Sequence, residues 1–232
     1  MENIEYTKMA YLYDKFYENK KHEKEVEFIK NFIDDQADTI LDAGCGTGNH
    51  AKILSDNGFT VFGFDQSNDM IRIANSKINN HFYVDNLLKL KHGSDTKYDL
   101  IISFFAVFNH LKSYHQFKVA LLNLKKLLKQ NGKIIIDLHN PIKSGSKTED
   151  IENVQRIMTW KLCKILKKEF TKITYIVDNK EFHAKHTFKI FNISKLEKIA
   201  KKIGFENIEF YENYNINNFA TKKSKNIQMV IY

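Results

Sequence analysis

The chain contains only two cysteines and one proline among its 232 residues. Cys45 and Cys163 are too few to build a disulfide framework or a cysteine-based metal cluster, so the sequence predicts no metal site. Cys45 lies inside a glycine-rich turn, where a small packing residue is a simpler interpretation than a nucleophile. Folding therefore depends on a hydrophobic core, for which 43% apolar and 13% aromatic residues are sufficient.

Long apolar runs are also absent from the sequence. No run approaches the roughly 18–20 residues that a membrane-spanning helix needs. The first residues, Met-Glu-Asn-Ile-Glu-Tyr, lack the charged and then apolar pattern of a signal peptide. We therefore expect a cytoplasmic protein that does not enter the membrane.

The net charge of +8 comes mostly from lysine. Such a charge is compatible with nucleic-acid binding, with an anionic small substrate, or with a compositional bias alone. The lysines are spread along the chain in pairs such as Lys125–Lys126 and Lys201–Lys202, a pattern typical of solvated helix faces. We favour the compositional bias and do not expect nucleic acid to be a partner.

The stretch from Ile40 to Asn49, Ile-Leu-Asp-Ala-Gly-Cys-Gly-Thr-Gly-Asn, organises the rest of the chain. A short buried strand runs into an acid and three alternating glycines, and a helical pattern follows. Such a turn lets backbone approach a ligand closely. Its spacing differs from the G-x-G-x-x-G of dinucleotide-binding proteins, and the Gly-Lys-Ser/Thr of a phosphate-binding loop is missing.

Two further predicted strands also end in an acid, one at Asp65 and one at Asp85. Asp65 follows the glycines by about 20 residues, the separation at which an acid reaches ribose hydroxyls in open α/β sheets. Together with Asp42, these acids would lie on the same carboxyl edge of one parallel sheet. Ser67 is placed to cap the following helix.

The remaining pattern predicts a mixed chain with one antiparallel segment. In the first part of the chain we expect a helical segment over Ala10–Asn31, a fourth strand over Tyr98–Ala106, a helix over Leu121–Lys129 and a fifth strand over Lys133–His139. A polar loop over Gly145–Asp150 should follow, and then antiparallel strands between Arg156 and Phe191 with a turn at Asp178–Asn179. The chain should end with a helix over Ile193–Ile203 and a hairpin of Ile208–Tyr211 with Ile227–Tyr232.

The acid followed by G-x-G-x-G, and the sequence Asp65-Gln66-Ser67-Asn68-Asp69-Met70, resemble the class I S-adenosylmethionine-dependent methyltransferases. The resemblance implies an α/β fold: a doubly wound, mostly parallel seven-stranded sheet with a small antiparallel insert after the fifth strand. It implies a single domain over residues 1–232, with residues 1–35 as a helical lid and residues 145–191 as an insert that serves substrate binding or dimerisation.

The same resemblance implies S-adenosyl-L-methionine as the cofactor and assigns its contacts. Met70 is equally compatible with an ordinary core position. The implied cofactor-binding residues are Tyr13, Asp42, Ala43, Gly44, Gly46, Gly48, Asp65, Gln66, Met70, Asp85, Asn86 and Phe104.

Within that family the chain looks most like the bacterial N,N-dimethyltransferases of nucleotide-linked amino sugars. The shared residues include Ala10-x-x-Tyr13-Asp14 and Asn109-His110-Leu111, although that family prefers glycine where Asn109 stands. The resemblance implies catalytic roles for His110, which could take or relay a proton, and for Tyr13. A helix-capping or packing role is equally open for His110. Further candidates for the pocket are His139, His183 and His186.

The sequence lacks the residues that other methyltransferase reactions require. Phe108–Leu111 has no proline, although methylation of adenine or glutamine amines by this fold uses an N/D-P-P-Y/F loop. No cysteine lies near the fourth strand for carbon methylation, and no acids cluster there for metal-assisted catechol methylation. This leaves N- or O-methylation of a small molecule, with an RNA- or protein-modifying enzyme as the alternative.

Overall fold

The computed structural model describes residues 4–17, 22–34, 37–78, 81–91 and 96–232, with side chains from Met9 onward. Its helices are α1 (Ile4–Tyr17), α2 (Glu23–Lys30), α3 (Asn49–Asp56), α4 (Asn68–Lys77), α5 (Tyr114–Lys125) and α6 (Ile193–Lys202). Its strands are β1 (Thr39–Ala43), β2 (Thr60–Asp65), β3 (Phe82–Val84), β4 (Tyr98–Ser103), β5 (Leu128–His139), β6 (Gly145–Ile151), β7 (Val154–Cys163), β8 (Lys168–Val177), β9 (Lys180–Lys189), β10 (Ile208–Glu212), β11 (Asn215–Phe219) and β12 (Asn226–Ile231).

The larger sheet has the strand order β11-β10-β12-β5-β4-β1-β2-β3. Strands β3, β2, β1, β4 and β5 are parallel, and β12, β10 and β11 continue the sheet antiparallel. Apolar clusters cover both faces, which explains the continuous apolar run Leu100–Ile102. The predicted doubly wound sheet is confirmed, and β11 adds an eighth strand at its edge.

Two helix predictions need correction. The segment Ala10–Asn31 contains two helices, α1 and α2, rather than one. The helix placed over Leu121–Lys129 starts earlier, at a cap where the Ser113 side chain accepts from the Gln116 backbone N–H at 3.1 Å, and it ends at Lys125. Leu128 belongs to β5 and pairs with Tyr98. The apolar residues therefore continue past the end of the helix, because the last of them belong to the following strand.

The insert is a separate four-stranded antiparallel sheet in the order β6-β7-β8-β9. The predicted turn at Asp178–Asn179 is confirmed, with φ values of 48° and 61° that suit a two-residue hairpin. Gly145–Asp150 is an edge strand, not a loop. The polar side chains of this segment did not indicate a strand, because its pairing with β7 uses only backbone groups.

Helix α1 lies against the insert. Leu12 and Phe16 pack with Val154, Tyr175 and Val177 in a small apolar cluster. None of the helices in the described part of the chain has the length and apolarity needed to cross a lipid bilayer. The insert and α1 together leave one large opening at the carboxyl ends of the parallel strands.

Candidate active site

A cavity of about 1520 Å³ lies between the carboxyl ends of β1 to β5, helix α1 and the insert. Most of the predicted site residues line it: Tyr13, Asp42, Gly44, Gly46, Asp65, Gln66, Met70, Asp85, Asn86, Phe104 and His110. Ala43 and Gly48 do not. Ala43 is fully buried, and at Gly48 a Cβ would lie 3.1 Å from the Ala74 Cβ, so this glycine permits close packing of α3 on α4.

The glycine turn presents bare backbone to the cavity. Gly44 and Gly46 have φ values of 84° and 54°. A Cβ on Gly44 would come within 2.6 Å of Val107, whereas a Cβ on Gly46 would meet no atom within 4 Å. Asp65 fixes this turn, because its Oδ2 accepts from the Gly46 N–H at 3.1 Å and its Oδ1 from the Ser67 N–H at 2.9 Å.

Asp42 and Asp65 place two neighbouring carboxyl groups at this end of the cavity. Asp42 is 2% exposed, and its Oδ2 has no hydrogen-bond partner among the described residues. Burial, followed by the nearby Asp65, raises the pKa of Asp42 to about 7. A cationic ligand would compensate for both effects, so the residues present fit a positively charged methyl donor.

The raised pKa of Asp42 predicts a pH-dependent stability. In the unfolded chain this carboxyl loses its proton near its ordinary value of 3.8, but the folded chain retains the proton up to about pH 7. For this group the stability is therefore complete below about pH 4, falls as the pH rises from 4 to 7 and levels off above 7, with a total loss on the order of 4 kcal/mol. Urea denaturation of the ligand-free protein between pH 5 and 8 measures this loss.

Asp42→Asn should remove most of that dependence, because the amide does not ionise. Asp56→Asn is the matched control, since Asp56 is exposed and pairs with Lys52 at 2.5 Å. Equal pH slopes in the wild type and Asp42→Asn would contradict the assignment of this titration to Asp42.

Asp85 shapes the loop that follows β3. Its carboxylate accepts from the Asn86 N–H at 2.7 Å and from the Lys91 N–H at 2.9 Å. The Asn86 side chain donates to Gln66 Oε1 at 3.4 Å, which joins this loop to the end of β2. Three loops of the strand edge are thus tied together by Asp65 and Asn86, and all of them border the cavity.

The segment after β4 was predicted as strand and is a strained turn instead. Strand β4 ends at Ser103, and Phe105 and Ala106 have φ values of 56° and 59°. Non-glycine residues in this region cost on the order of 1–3 kcal/mol each and cluster at functional sites. The turn brings the Phe105 ring within 5.4 Å of Tyr17 and within 5.0 Å of His50.

The opposite end of the cavity is rich in imidazole. His110, His139, His183 and His186 all line it, together with Phe188. The His110 ring lies 5.5 Å from the His186 ring and 4.7 Å from the Phe188 ring. Surrounding protein and then His186 lower the pKa of His110 to about 4, so its ring is neutral at pH 7.

His139 has a carboxylate partner that the sequence interpretation missed. Its Nε2 lies 3.1 Å from Oε2 of Glu169, and the Thr171 hydroxyl donates to the other oxygen at 2.7 Å. Burial opposes ionisation of Glu169, but these two hydrogen bonds outweigh it and place the pKa below its usual range. Glu169 shares the inward face of β8 with Thr171 and Ile173, so alternation along this strand could have identified it.

Asn109 ties the two halves of this site together. The side chain is fully buried, and its Nδ2 donates to the carbonyls of His139 at 2.9 Å and Lys189 at 2.7 Å. Its Oδ1 accepts from the His139 N–H at 2.9 Å. One amide therefore fixes the end of β5, the end of β9 and the turn that carries His110.

Replacing Asn109 with alanine should destabilise the protein by about 2–3 kcal/mol, because three buried backbone groups lose their partner. Asn123→Ala is a suitable control, since Asn123 donates a single bond to the Leu87 carbonyl at 2.9 Å. Urea denaturation measures both changes. A loss for Asn109→Ala no larger than for the control would contradict the proposed fixation.

Helix α1 covers the cavity through contacts on two sides. Asp14 accepts from Lys77 Nζ of α4 at 2.6 Å, and Phe16 lies 4.1 Å from the guanidinium of Arg156 in the insert. Tyr13 and Tyr17 face the cavity with ring centroids 4.5 Å apart. Burial raises the pKa of Tyr13, so its phenol stays protonated at neutral pH.

Comparison with known proteins supplies the family. Residues 12–210 match the methyltransferase domain family. The chain belongs to this family. It is 34% identical over 206 residues to the uncharacterized protein MJ1252 of Methanocaldococcus jannaschii, covering 87% of this chain and 74% of that one. The prediction of a class I S-adenosylmethionine-dependent methyltransferase is thereby confirmed.

Solved structures agree with the fold. An S-adenosylmethionine-dependent methyltransferase from Clostridium acetobutylicum superposes with a TM-score of 0.80 at 21% identity, over 97% of this chain and 98% of that chain. The sugar N-methyltransferase KedS8 from Streptoalloteichus superposes with a TM-score of 0.75 at 16% identity, over 94% and 91%. At these identities the likeness shows a common architecture for this methyltransferase.

Proposed function

We propose that this methyltransferase acts on the amine of a small molecule, and that a nucleotide-linked amino sugar is its acceptor class. The observation that carries the proposal is the single cavity with two chemically different ends. Its volume of about 1520 Å³ exceeds the roughly 300–1,000 Å³ typical of a one-ligand site, so it has room for a donor and a large acceptor.

The acidic end suits the donor. S-adenosylmethionine supplies a methyl group already activated by a positive sulfur. Asp42 and Asp65 provide compensating charge, Gly44 and Gly46 provide open backbone, and the Tyr13 phenol offers a donor for an anionic group of either ligand. The predicted contacts of Gln66, Met70, Asp85, Asn86 and Phe104 remain part of this proposal.

The imidazole end suits an acceptor amine, which must lose a proton before it can react. His139 Nε2 donates to Glu169, so Nδ1 is free to take that proton, and Glu169 stabilises the resulting imidazolium. The neutral His110 ring accepts a hydrogen bond from the amine and orients its lone pair. Lys112 and Lys185 also line the cavity, and their charge suits a diphosphate.

An assay of cofactor turnover tests the acceptor. The purified protein should release S-adenosylhomocysteine with amino-sugar nucleotides, and not with the same nucleotides carrying a hydroxyl in place of the amine. Turnover of the hydroxyl compounds or phenols would favour O-methylation, and turnover of RNA or protein would refute the small-molecule class. The same protein should bind S-adenosylmethionine in every case, so failure of the acceptor is separate from failure of the fold assignment.

Assembly as a homodimer through the insert is a further proposal. Ile165 and Leu166, between β7 and β8, are 92% and 54% exposed. Sedimentation of the wild type should show a dimer if this hairpin loop contacts a second copy, and an Ile165→Asp variant should then be monomeric. A monomeric wild type would contradict the proposal.

A further inference from the structure

Three buried side chains next to the glycine turn form a cluster that methyl transfer does not use. His22, Glu25 and His50 are 2%, 4% and 5% exposed. One ligand atom from each side chain lies within 4.8 Å of the others. Glu25 and His50 border the cavity, and the His50 ring lies 5.2 Å from the Phe104 ring and 5.0 Å from the Phe105 ring.

The chain brings these residues together from two helices. His22 precedes α2, and Glu25 lies three residues later on the same face. His50 is the second residue of α3, directly after the glycine turn. The two imidazole rings approach edge to face with centroids 4.6 Å apart, so they converge rather than stack.

The orientation of His22 favours a metal ion as the ligand. Its Nε2 lies 3.0 Å from the Tyr17 carbonyl oxygen, which can only accept a hydrogen bond. Nε2 therefore carries the proton, and Nδ1 presents a lone pair. A metal-binding histidine typically donates its other ring N–H to a carbonyl or carboxylate in this way, which fixes both the tautomer and the ring.

We propose that His22 Nδ1, one imidazole nitrogen of His50 and the Glu25 carboxylate bind a divalent transition-metal ion, with zinc the best match. Two imidazoles and one carboxylate are a common zinc ligand set, and they disfavour magnesium and calcium, which prefer oxygen ligands alone. Ligands about 2.1 Å from a tetrahedral ion lie about 3.4 Å apart, so small side-chain rotations complete the site.

The ion would have two consequences for the structure. It would link α2 to the start of α3 and so hold the helix that follows the glycine turn. Because Glu25 and His50 border the cavity, the fourth coordination position would open toward it, for a water molecule or an anionic oxygen of a ligand.

Cobalt titration of the chelator-stripped, full-length protein tests the proposal without any activity measurement. We expect about one Co²⁺ per chain, the visible absorption of a tetrahedral nitrogen–oxygen site, displacement by Zn²⁺ and none by Mg²⁺. Zinc should also raise the thermal unfolding midpoint, because it binds the folded state only. A wild-type protein that takes up less than stoichiometric cobalt, or shows only an octahedral spectrum, would overturn the site.

Variants locate the site. Glu25→Gln and His50→Gln should each weaken cobalt binding by at least about tenfold. Glu27→Gln, on an exposed position of the same helix, and His115→Gln, on the exposed face of α5, are the controls and should bind as the wild type does. Equal binding by His50→Gln and the wild type would assign the metal to surface histidines. If these variants fail to fold, the wild-type titration alone decides.

Discussion

Replacing Gly46 with alanine should weaken S-adenosylmethionine binding by at least about a hundredfold, whereas Gly58→Ala should leave it unchanged. Both glycines have a positive φ. Their φ values are 54° and 93°, and a Cβ at either position would meet no atom within 4 Å. Each alanine should therefore cost about 1–2 kcal/mol of stability from the left-handed conformation alone.

The two added methyl groups differ in whether they border the cavity. Gly46 borders the cavity beside Asp42 and Asp65, so its methyl group would occupy space that the donor needs. Gly58 follows α3, where its N–H donates to the Ser55 carbonyl at 2.9 Å, and it does not border the cavity. Alanine at position 46 should therefore prevent the close approach of backbone to ligand, whereas alanine at position 58 should not affect it.

Isothermal titration with S-adenosylmethionine, together with urea denaturation of both variants, separates binding from stability. Equal stability losses with affinity lost only in Gly46→Ala would support the donor position. Equal losses of affinity in both variants would attribute the effect to general strain. Full affinity in Gly46→Ala would show that the donor does not lie against this turn.

The sequence was sufficient to predict the acidic end of the site because parallel strands bring their carboxyl ends to one edge. Asp42 pairs in register with Gly63 of β2, and Asp65 pairs with Val84 of β3. Local spacing therefore determined the three-dimensional arrangement of the acids. The glycines predicted the turn equally well, because glycine adopts a positive φ without steric cost and the residue type alone therefore indicates it.

The imidazole end could be predicted only in part, because its contacts join segments distant in the chain. Residue type alone made His110, His139 and His186 candidates. The hydrogen bond between His139 and Glu169, however, joins the end of β5 to β8, and sequence spacing does not predict such a contact. Phe105 and Ala106 have positive φ values, but neither is a glycine or an asparagine, so their residue types do not indicate this conformation. Tertiary packing, rather than local preference, imposes that turn.

Edge strands were the other omission, and the reason is physical. The residues of β11 are all exposed, and those of β6 are exposed or half-buried. Alternation between apolar and polar side chains arises only where one face of a strand is buried. Such strands are held by backbone hydrogen bonds and leave no apolar period in the sequence.

Replacing Glu169 with glutamine should lower kcat by about a hundredfold or more, if His139 takes the proton from the acceptor amine. The amide keeps the size of the side chain but removes the charge that stabilises an imidazolium. Glu169 is 3% exposed, so water cannot substitute for the lost charge. We expect KM to change little, because Glu169 acts through His139 and does not itself border the cavity.

The insert offers a matched control in a second histidine–glutamate pair. Glu181 lies 3.4 Å from His183, but these side chains are 57% and 43% exposed, so solvent screens the pair. Glu181→Gln should therefore retain nearly full kcat. His139→Gln should lower kcat at least as much as Glu169→Gln, because it removes the proton acceptor itself. The acid limb of the kcat profile should move in Glu169→Gln, where His139 is kept and loses its charged partner.

His110→Gln gives the complementary result. Because the pKa of His110 is about 4, this ring stays neutral from pH 6 to 9, and its loss should lower the rate without moving either limb of the pH profile. A full kcat in Glu169→Gln, together with a large loss and a shifted limb in His110→Gln, would transfer the proton-accepting role to His110. The rates and pH profiles of Glu169→Gln and His110→Gln thus decide which imidazole receives the proton.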